Sequence, residues 1–425
     1  MQPKERLLEL RNALPFLIWA GALIVALNSG WVIAYRLLYL FSMLIALGLI
    51  WSGSAVWLLS IRREPVNRVL HVGDTLIERV CITNRSYLPQ MWVVLQDDSD
   101  LPLHLMHQVL SYISPRSQRQ LVLRTTCVRR GRYRLGPVVL TGGDPFGIFR
   151  TRRRLGPITN IVVRPRVFHL ASFGVLAGLL PAETRRLRRS PDPTTDVSSV
   201  RDYQPGDEFR RIHWLSTVRQ GRLISKEFEH SPGGDVWIVL DMHRNVQAGS
   251  LMQLVPDGDG LRVNQQSWPI LEPTTEEYSV SMAASVASYF LGLDRAVGLV
   301  TYGSSRLFTQ PDRGERHLNR ILDGLAVLRA DGRFSLHRLL EREAHNFRRF
   351  DTVVVITPST DDNWVLAAHS LRLRGIRILA VVIDRATFED RQSSGEVQGL
   401  LSARRLPFCV LEKGQRPDTV ICMMT

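Results

Sequence analysis

Two long apolar runs open the chain: Ala13 to Tyr35 carries no charge, and after the single Arg36 a second uncharged run extends from Leu37 to Ile61. About 20 apolar residues suffice for a helix to cross a bilayer, so each run predicts a membrane span. Asn28, Ser29 and Gly30 supply a turn between them, with Trp31 and Tyr35 as interfacial aromatics. A cleaved signal peptide would not be followed directly by another run of membrane length. From Val66 to Val167 the pattern changes to short β-type runs at 69–72, 76–83, 91–95, 121–128 and 138–141, with turn residues between them. This predicts a small antiparallel sandwich. After Pro232 it changes again. Val236 to Leu240, Val297 to Thr301, Val353 to Thr357, Ile378 to Ile383 and Phe408 to Leu411 are continuous apolar runs, as in strands buried on both faces. Amphipathic stretches separate them. Thr274 with Glu277 has capping-box spacing, Leu318, Ile321, Leu322, Leu325 and Leu328 line one face, and Asp361 or Asp362 opens a helix that Gly375 follows. The predicted fold is multidomain: an N-terminal tail and transmembrane helical hairpin over 1–61, a β-rich sandwich-like domain over 62–167, an arginine-rich linker with a distinctive passage over 168–232, and an α/β doubly wound domain over 233–425.

Charge adds orientation. Lys4, Arg6 and Arg11 precede the first span and Arg62, Arg63 and Arg68 follow the second, with Arg36 alone between them. Positive flanks stay inside, so both termini and the soluble domains are expected in the cytoplasm, on an inner (plasma) membrane protein. The formal net charge is +14, and all basic residues but Lys4, Lys226 and Lys413 are arginine. The densest stretches are Arg150, Arg152, Arg153, Arg154, Arg164 and Arg166, then Arg185, Arg186, Arg188 and Arg189. Without interleaved aromatics they disfavour nucleic acid, leaving a solvated arginine face or contact with anionic lipid headgroups. Cys81, Cys127, Cys409 and Cys422 lack metal or disulfide-framework spacing and read as reduced thiols. His104 and His107, in a β-rich segment, read as surface residues.

The most distinctive passage is Val200 to Glu229, VRDYQPGDEFRRIHWLSTVRQGRLISKEFE. Gln204 to Asp207 make a turn, with Asp207 placed to cap the segment after it. Phe209, Ile212, Trp214 and Thr217 alternate with Arg210, Arg211 and Arg219 as in a short helix burying one side, ended by Gly221 and followed by a strand from Leu223 to Phe228. Arg210 and Arg219 are expected to pair with Asp202, Asp207 or Glu208, or to form a bidentate site for an acidic partner. The passage resembles the signature of the bacterial family called domain of unknown function 58, matching at Arg201, Tyr203, Gly206, Asp207, Arg210, Ile212, Trp214, Arg219, Gly221 and Leu223. His213 stands where many members have Asp, and Val218 where many have Ala. ArgArgGlyArgTyrArgLeuGlyPro at 129–137, AspProPheGlyIlePhe at 144–149 and the paired N-terminal spans resemble the same family.

The resemblance implies that 233–425 is a von Willebrand factor A-like domain, a binding fold with a magnesium site at the strand C-terminal edge. That site needs hard oxygen ligands from three loops. Here the first loop reads Asp241-Met242-His243-Arg244-Asn245: Asp241 is kept, both expected serines are missing, and Arg244 would repel a cation. Thr357, Ser359 and Asp361 could add oxygens, but the set is incomplete, so Asp241 marks a degenerate metal site and no cofactor is expected. Asp257-Gly258-Asp259-Gly260 lacks the glutamate of a calcium loop and reads as part of a loop over the sheet edge.

No GxxxxGK[ST], HExxH, GxSxG or Cys-His signature is present. Three functional classes remain. The first is a non-catalytic, membrane-anchored binding or assembly protein; the resemblance implies as partners a MoxR-type AAA+ ATPase and a transglutaminase-like membrane protein, in envelope-related or metalloprotein-maturation complexes. The second is an enzyme using Asp207, His213 and Asp241 as an acid-base group, His213 being able to titrate near neutrality. The third is a basic protein binding anionic lipid or nucleic acid.

Overall fold

The computed structural model describes residues 6–65, 69–104, 106–170, 197–203, 212–228, 234–251, 271–303, 305–389, 393–420 and 422–423. They fall into two units, one of residues up to Arg164 and one from Pro165 onward.

The first unit contains β1 (Arg6–Leu10), α1 (Leu14–Ser29), α2 (Val32–Trp57), β2 (Leu59–Pro65), β3 (Leu70–His71), β4 (Thr75–Asn84), β5 (Gln90–Asp97), β6 (His107–Ile113), β7 (Gln118–Thr126), β8 (Gly131–Leu135), β9 (Val138–Gly143), β10 (Phe149–Leu155) and β11 (Thr159–Arg164). Gly30, at φ 64°, ends α1, and Trp31 starts α2. A hydrogen bond from Trp19 Nε1 to Ser42 Oγ (2.7 Å) ties the two helices together. α2 is long and apolar enough to cross a membrane and α1 is a shorter apolar helix.

The strands of this unit form three sheets, ordered β1-β10-β9-β5-β6, β2-β4-β7 and β3-β11-β8. Val80, Ile82 and Leu123 of the second meet Val93, Leu95, Leu110, Val138 and Leu140 of the first in one core between two sheets, where the short runs and turn residues predict a sandwich. β1 lies in what the sequence presented as an N-terminal tail; instead it pairs antiparallel with β10, Leu10 opposite Phe149.

The second unit contains β12 (Val197–Asp202), α3 (Trp214–Gln220), β13 (Ile224–Phe228), β14 (Val236–Leu240), α4 (Thr275–Gly292), β15 (Val297–Tyr302), β16 (Arg306–Asp312), α5 (Glu315–Val327), α6 (Leu336–Glu343), β17 (Thr352–Thr357), α7 (Asn363–Leu373), β18 (Arg377–Ile383), α8 (Gly395–Ala403), β19 (Phe408–Leu411) and β20 (Cys422–Met423). One seven-stranded mixed sheet runs β16-β15-β14-β17-β18-β19-β20. Its five central strands are parallel, while β16 and β20 run antiparallel at the edges.

Strand alternation divides the core. Val236, Ile238 and Leu240 pack with residues of α4 and α5 on one face. Trp237 and Val239 pack with residues of α6, α7 and α8 on the other. Thr274 caps α4 by accepting the Glu277 N–H at 3.3 Å, as its spacing predicts. The cysteine reading needs one correction: Cys81 and Cys127 are free, but Cys409 is disulfide-bonded. The antiparallel return of β20, invisible in sequence spacing, brings Cys422 into register with Cys409.

Candidate functional site: the strand edge and the signature helix

β14 lies between β15 and β17, and the chain moves first to one side of it and then to the other. Its carboxyl end is therefore a topological switch point, where open α/β sheets place their ligand crevices. Asp241 is the first residue past β14, and its N–H donates to Ile356 O of β17 (3.0 Å). Its carboxylate is buried and accepts Thr357 Oγ1–H at Oδ2 (2.7 Å) and the His243 N–H at Oδ1 (3.1 Å). Thr357 Oγ1 in turn accepts the Ser359 N–H (2.9 Å), and Ser359 Oγ accepts the Asp361 N–H (3.2 Å). Asp361 is turned to its own helix start, Oδ1 accepting from Asn363 N and Nδ2. Burial pushes the Asp241 carboxyl above the usual range, against the pull of the Thr357 hydrogen bond, the His243 amide and the charges of His243 and Arg385.

This donor set does not fit magnesium. A hard cation needs oxygen lone pairs converging on one point, whereas both Asp241 oxygens face proton donors and the Thr357, Ser359 and Asp361 oxygens close local turns. Among the described residues no group of three or more His, Cys, Asp or Glu is placed to hold a metal. The segment around Gly332 closes over the same edge. Arg244 N–H donates to Gly332 O and Gly332 N–H to Met242 O, both at 3.0 Å.

The distinctive passage forms a separate arrangement. β12 and β13 pair antiparallel, Arg201 opposite Ser225 and Asp202 opposite Ile224. Tyr203 N–H donates to Leu223 O (3.0 Å), and buried Ile212 bridges to Ser225. His213 is the N-cap of α3: its Nδ1 accepts the Ser216 N–H (3.3 Å) and bonds Ser216 Oγ (2.7 Å). Gly221, at φ 68°, closes the helix with its N–H on Thr217 O, as its position in the sequence predicts. Thr217 Oγ1 accepts the Ile224 N–H (3.1 Å) and fixes the helix to β13.

One expectation about this passage is overturned. Trp214, expected on the buried side, is 61% exposed, with Leu215 at 63% and Val218 at 80%. Trp214 and Val218 are four apart and Leu215 and Val218 three apart, spacings that share a helix face, so the three make a single outward apolar face. It faces outward because backbone and Thr217 contacts hold α3 to the hairpin. Asp202 pairs with Arg222 (2.9 Å), one residue past Gly221. Gly206, Asp207, Glu208 and Arg210 lie outside the described residues, as do Arg185 to Arg189 and the 257–260 loop. Among the described residues no hydrogen bond or ion pair joins His213 to Asp241.

Sequence reasoning missed a charged cluster in the first unit. Arg63 donates through Nε and Nη2 to Glu78 (2.5 and 2.8 Å) and through Nη1 and Nη2 to Asp97 (3.0 and 2.5 Å), all three side chains being essentially inaccessible to water. His104, expected at the surface, is buried with Nε2 at 2.8 Å from Asp97 Oδ2 and Nδ1 at 2.8 Å from Thr125 Oγ1. Ser99 Oγ donates to Asp97 (2.7 Å) and accepts the N–H of Gly136, in the ArgGlyArgTyrArgLeuGlyPro motif, at 2.9 Å. One signal was available: Glu78 shares the inward period-two face of Leu76, Val80 and Ile82.

Comparison with known proteins bears on the same passage. Residues 199–255 match the family described as Protein of unknown function DUF58. The matched segment holds β13, α3 and the loop after Asp241. The uncharacterized protein YeaD of Bacillus subtilis (strain 168) is 21% identical over 369 residues, covering 83% of each chain. Among solved structures, the CARDB domain of PF1109 from Pyrococcus furiosus, in complex with di-metal ions, is 14% identical at a TM-score of 0.18, covering 25% of this chain and 84% of that one. The alkylpurine DNA glycosylase AlkC of Pseudomonas fluorescens, bound to DNA with an abasic site analog, also has 14% identity and a TM-score of 0.18, covering 36% of this chain and 47% of that one. Scores this low carry no argument about fold or function.

Proposed function

We propose that this protein is a membrane-anchored, non-catalytic binding protein that docks a protein partner on the outward face of α3. The supporting observation is the exposure of Trp214, Leu215 and Val218 together, beside exposed Arg219, inside the DUF58-matching segment. Tryptophan and arginine carry a disproportionate share of interface energy, and the partner surface that suits them is an apolar groove with an acidic rim. The expected partner is a MoxR-type AAA+ ATPase, with a transglutaminase-like membrane protein in the same complex. ATP would be hydrolysed by the ATPase. In this reading α1 and α2 cross the inner membrane as a hairpin, the positive flanks keep both soluble units cytoplasmic, and the second unit is a von Willebrand factor A-like domain that has exchanged its metal for hydrogen bonds at Asp241.

The test is purification of the tagged full chain in mild detergent with a candidate AAA+ ATPase, with and without ATP. Nucleotide-dependent retention is expected. Trp214→Ala or Val218→Asp should weaken it by about 2 kcal/mol or more, roughly 30-fold, with the melting temperature unchanged because both side chains are solvent-exposed. Retention unaffected by either substitution overturns the assignment of the docking face.

A further inference from the structure

We infer that the β9–β10 turn is a membrane-contact element, its tip residue Phe146 seated at the boundary between lipid headgroups and acyl chains. The inference rests on the reading of α1 and α2 as a membrane anchor, and it is drawn from lengths and contacts within the first unit.

α1 has 16 residues, about 24 Å at 1.5 Å per residue, whereas the hydrocarbon core of a bilayer is about 30 Å thick. α2 has 26 residues, but its last part is occupied by protein. A Cβ on Gly48 would lie 3.4 Å from the Phe149 ring, Ser52 Oγ is 2.7 Å from Thr151 Oγ1, and Arg153 Nη1 donates to Val56 O and Trp57 O at 3.1 and 3.0 Å. β10 therefore runs alongside α2 from Gly48 to Trp57, and its Phe149 end meets α1 through Phe16 (ring centroids 6.0 Å apart). The part of α2 before Gly48, from Val32 to Leu47, is again only about 24 Å long. α1 thus falls about 6 Å short of the hydrocarbon thickness, and the apolar stretch of α2, Val32–Gly53, spans it only by including its part beside β10, so the Phe149 end of the sheet descends into the interface.

The surface at that end is built to do so. Phe146 is 47% exposed, and Leu10, Leu14, Leu49 and Ile50 leave further apolar surface around it. Irregular backbone survives near lipid only when its polar groups are satisfied internally. Here buried Asp144 does this, accepting the N–H groups of Phe146 (2.9 Å), Ile148 (3.2 Å) and Phe149 (2.5 Å), and Asp144 O accepts the Gly147 N–H (3.3 Å). The turn's one charge is thereby enclosed and its outward side chains are Pro145 and Phe146. Exposed Arg11, whose N–H donates to Ile148 O (2.9 Å), stands beside the turn at the height where phosphates would lie.

The experiment uses the full chain reconstituted into vesicles of phosphatidylethanolamine and phosphatidylglycerol, with a benzoylphenylalanine photo-crosslinker placed singly at Phe146, at Met43 on α2, or at Ile158 beyond the opposite end of β10. Lipid adducts are expected at Met43 and Phe146 and none at Ile158. Adducts at Met43 without any at Phe146 overturn the inference while leaving the anchor reading intact. Equal adducts at Phe146 and Ile158 overturn it as well, since they report collision with the vesicle surface. Absence of adducts at Met43 overturns the anchor reading, and this inference with it.

Discussion

Arg63 holds two carboxylates at once, and both would be strongly destabilising without it. Removing one partner of a buried ion pair costs about 3–5 kcal/mol because the other charge is left uncompensated, so Arg63→Ala should lower the melting temperature of the detergent-solubilised protein steeply. Arg62, exposed on the neighbouring position of β2, provides the contrast: Arg62→Ala should change stability by less than about 0.5 kcal/mol. Burial alone would raise the Asp97 carboxyl, but hydrogen bonds from His104 and Arg63, the Arg63 charge and the Ser99 hydroxyl outweigh it and hold the group at about 2, down from 3.8. A depressed carboxyl stabilises the fold fully above its unfolded value and ceases to do so as pH falls through its folded value. About 2 kcal/mol should therefore be lost between roughly pH 4 and pH 2. Thermal melts across that range should show the loss in the parent and a smaller one in Asp97→Asn, which starts less stable.

At the scale of elements, close approach of backbones explains positions that hydrophobic patterning cannot. A Cβ on Gly332 would lie 2.0 Å from Tyr302 O and 2.8 Å from Met242 O, both backbone atoms that cannot swing aside. Gly332→Ala should cost about 1–3 kcal/mol through forced backbone movement, read as a lower melting temperature. Gly399, inside α8 with open space around its Cβ position, should instead gain about 0.5–1 kcal/mol on substitution by alanine. The buried strands were legible as continuous apolar runs, and the helices α4, α5 and α7 because a helical period of hydrophobicity repeats along each. β16, α6 and β10 were not. β16 is an edge strand with a mixed exposure pattern, and β10 reads FRTRRRL, its arginines concealing the inward row of Phe149, Thr151 and Arg153. The same limit applied to α3. Its Trp214 looks like a core residue by composition, and only the packing of the hairpin beneath shows that the apolar side faces away.

Across the whole molecule, the two units answer to pH through buried carboxylates of opposite character. Asp97 in the first has charged partners that favour ionisation, while Asp241 in the second has two neutral donors and a burial cost that prevails. The sequence marked Asp241 correctly as the residue at the strand edge, but the absence of two serines said nothing of the hydrogen bonds that replaced them. For a carboxyl raised in the folded state, folding takes up a proton, so stability falls as pH rises from the unfolded value of 3.8 through the folded one. Above that window Asp241 is a net burden on the second unit. Asparagine keeps an oxygen for the His243 N–H and turns an N–H toward Thr357 Oγ1, without a charge to bury. Asp241→Asn should therefore match the parent at the acid end of the window and become progressively more stable relative to it as pH rises, by differential scanning calorimetry of the detergent-solubilised full chain. A difference that stays flat with pH would mean that Asp241 titrates as an ordinary carboxylate, and a difference that reverses would mean that its charge is held by an ion at the strand edge.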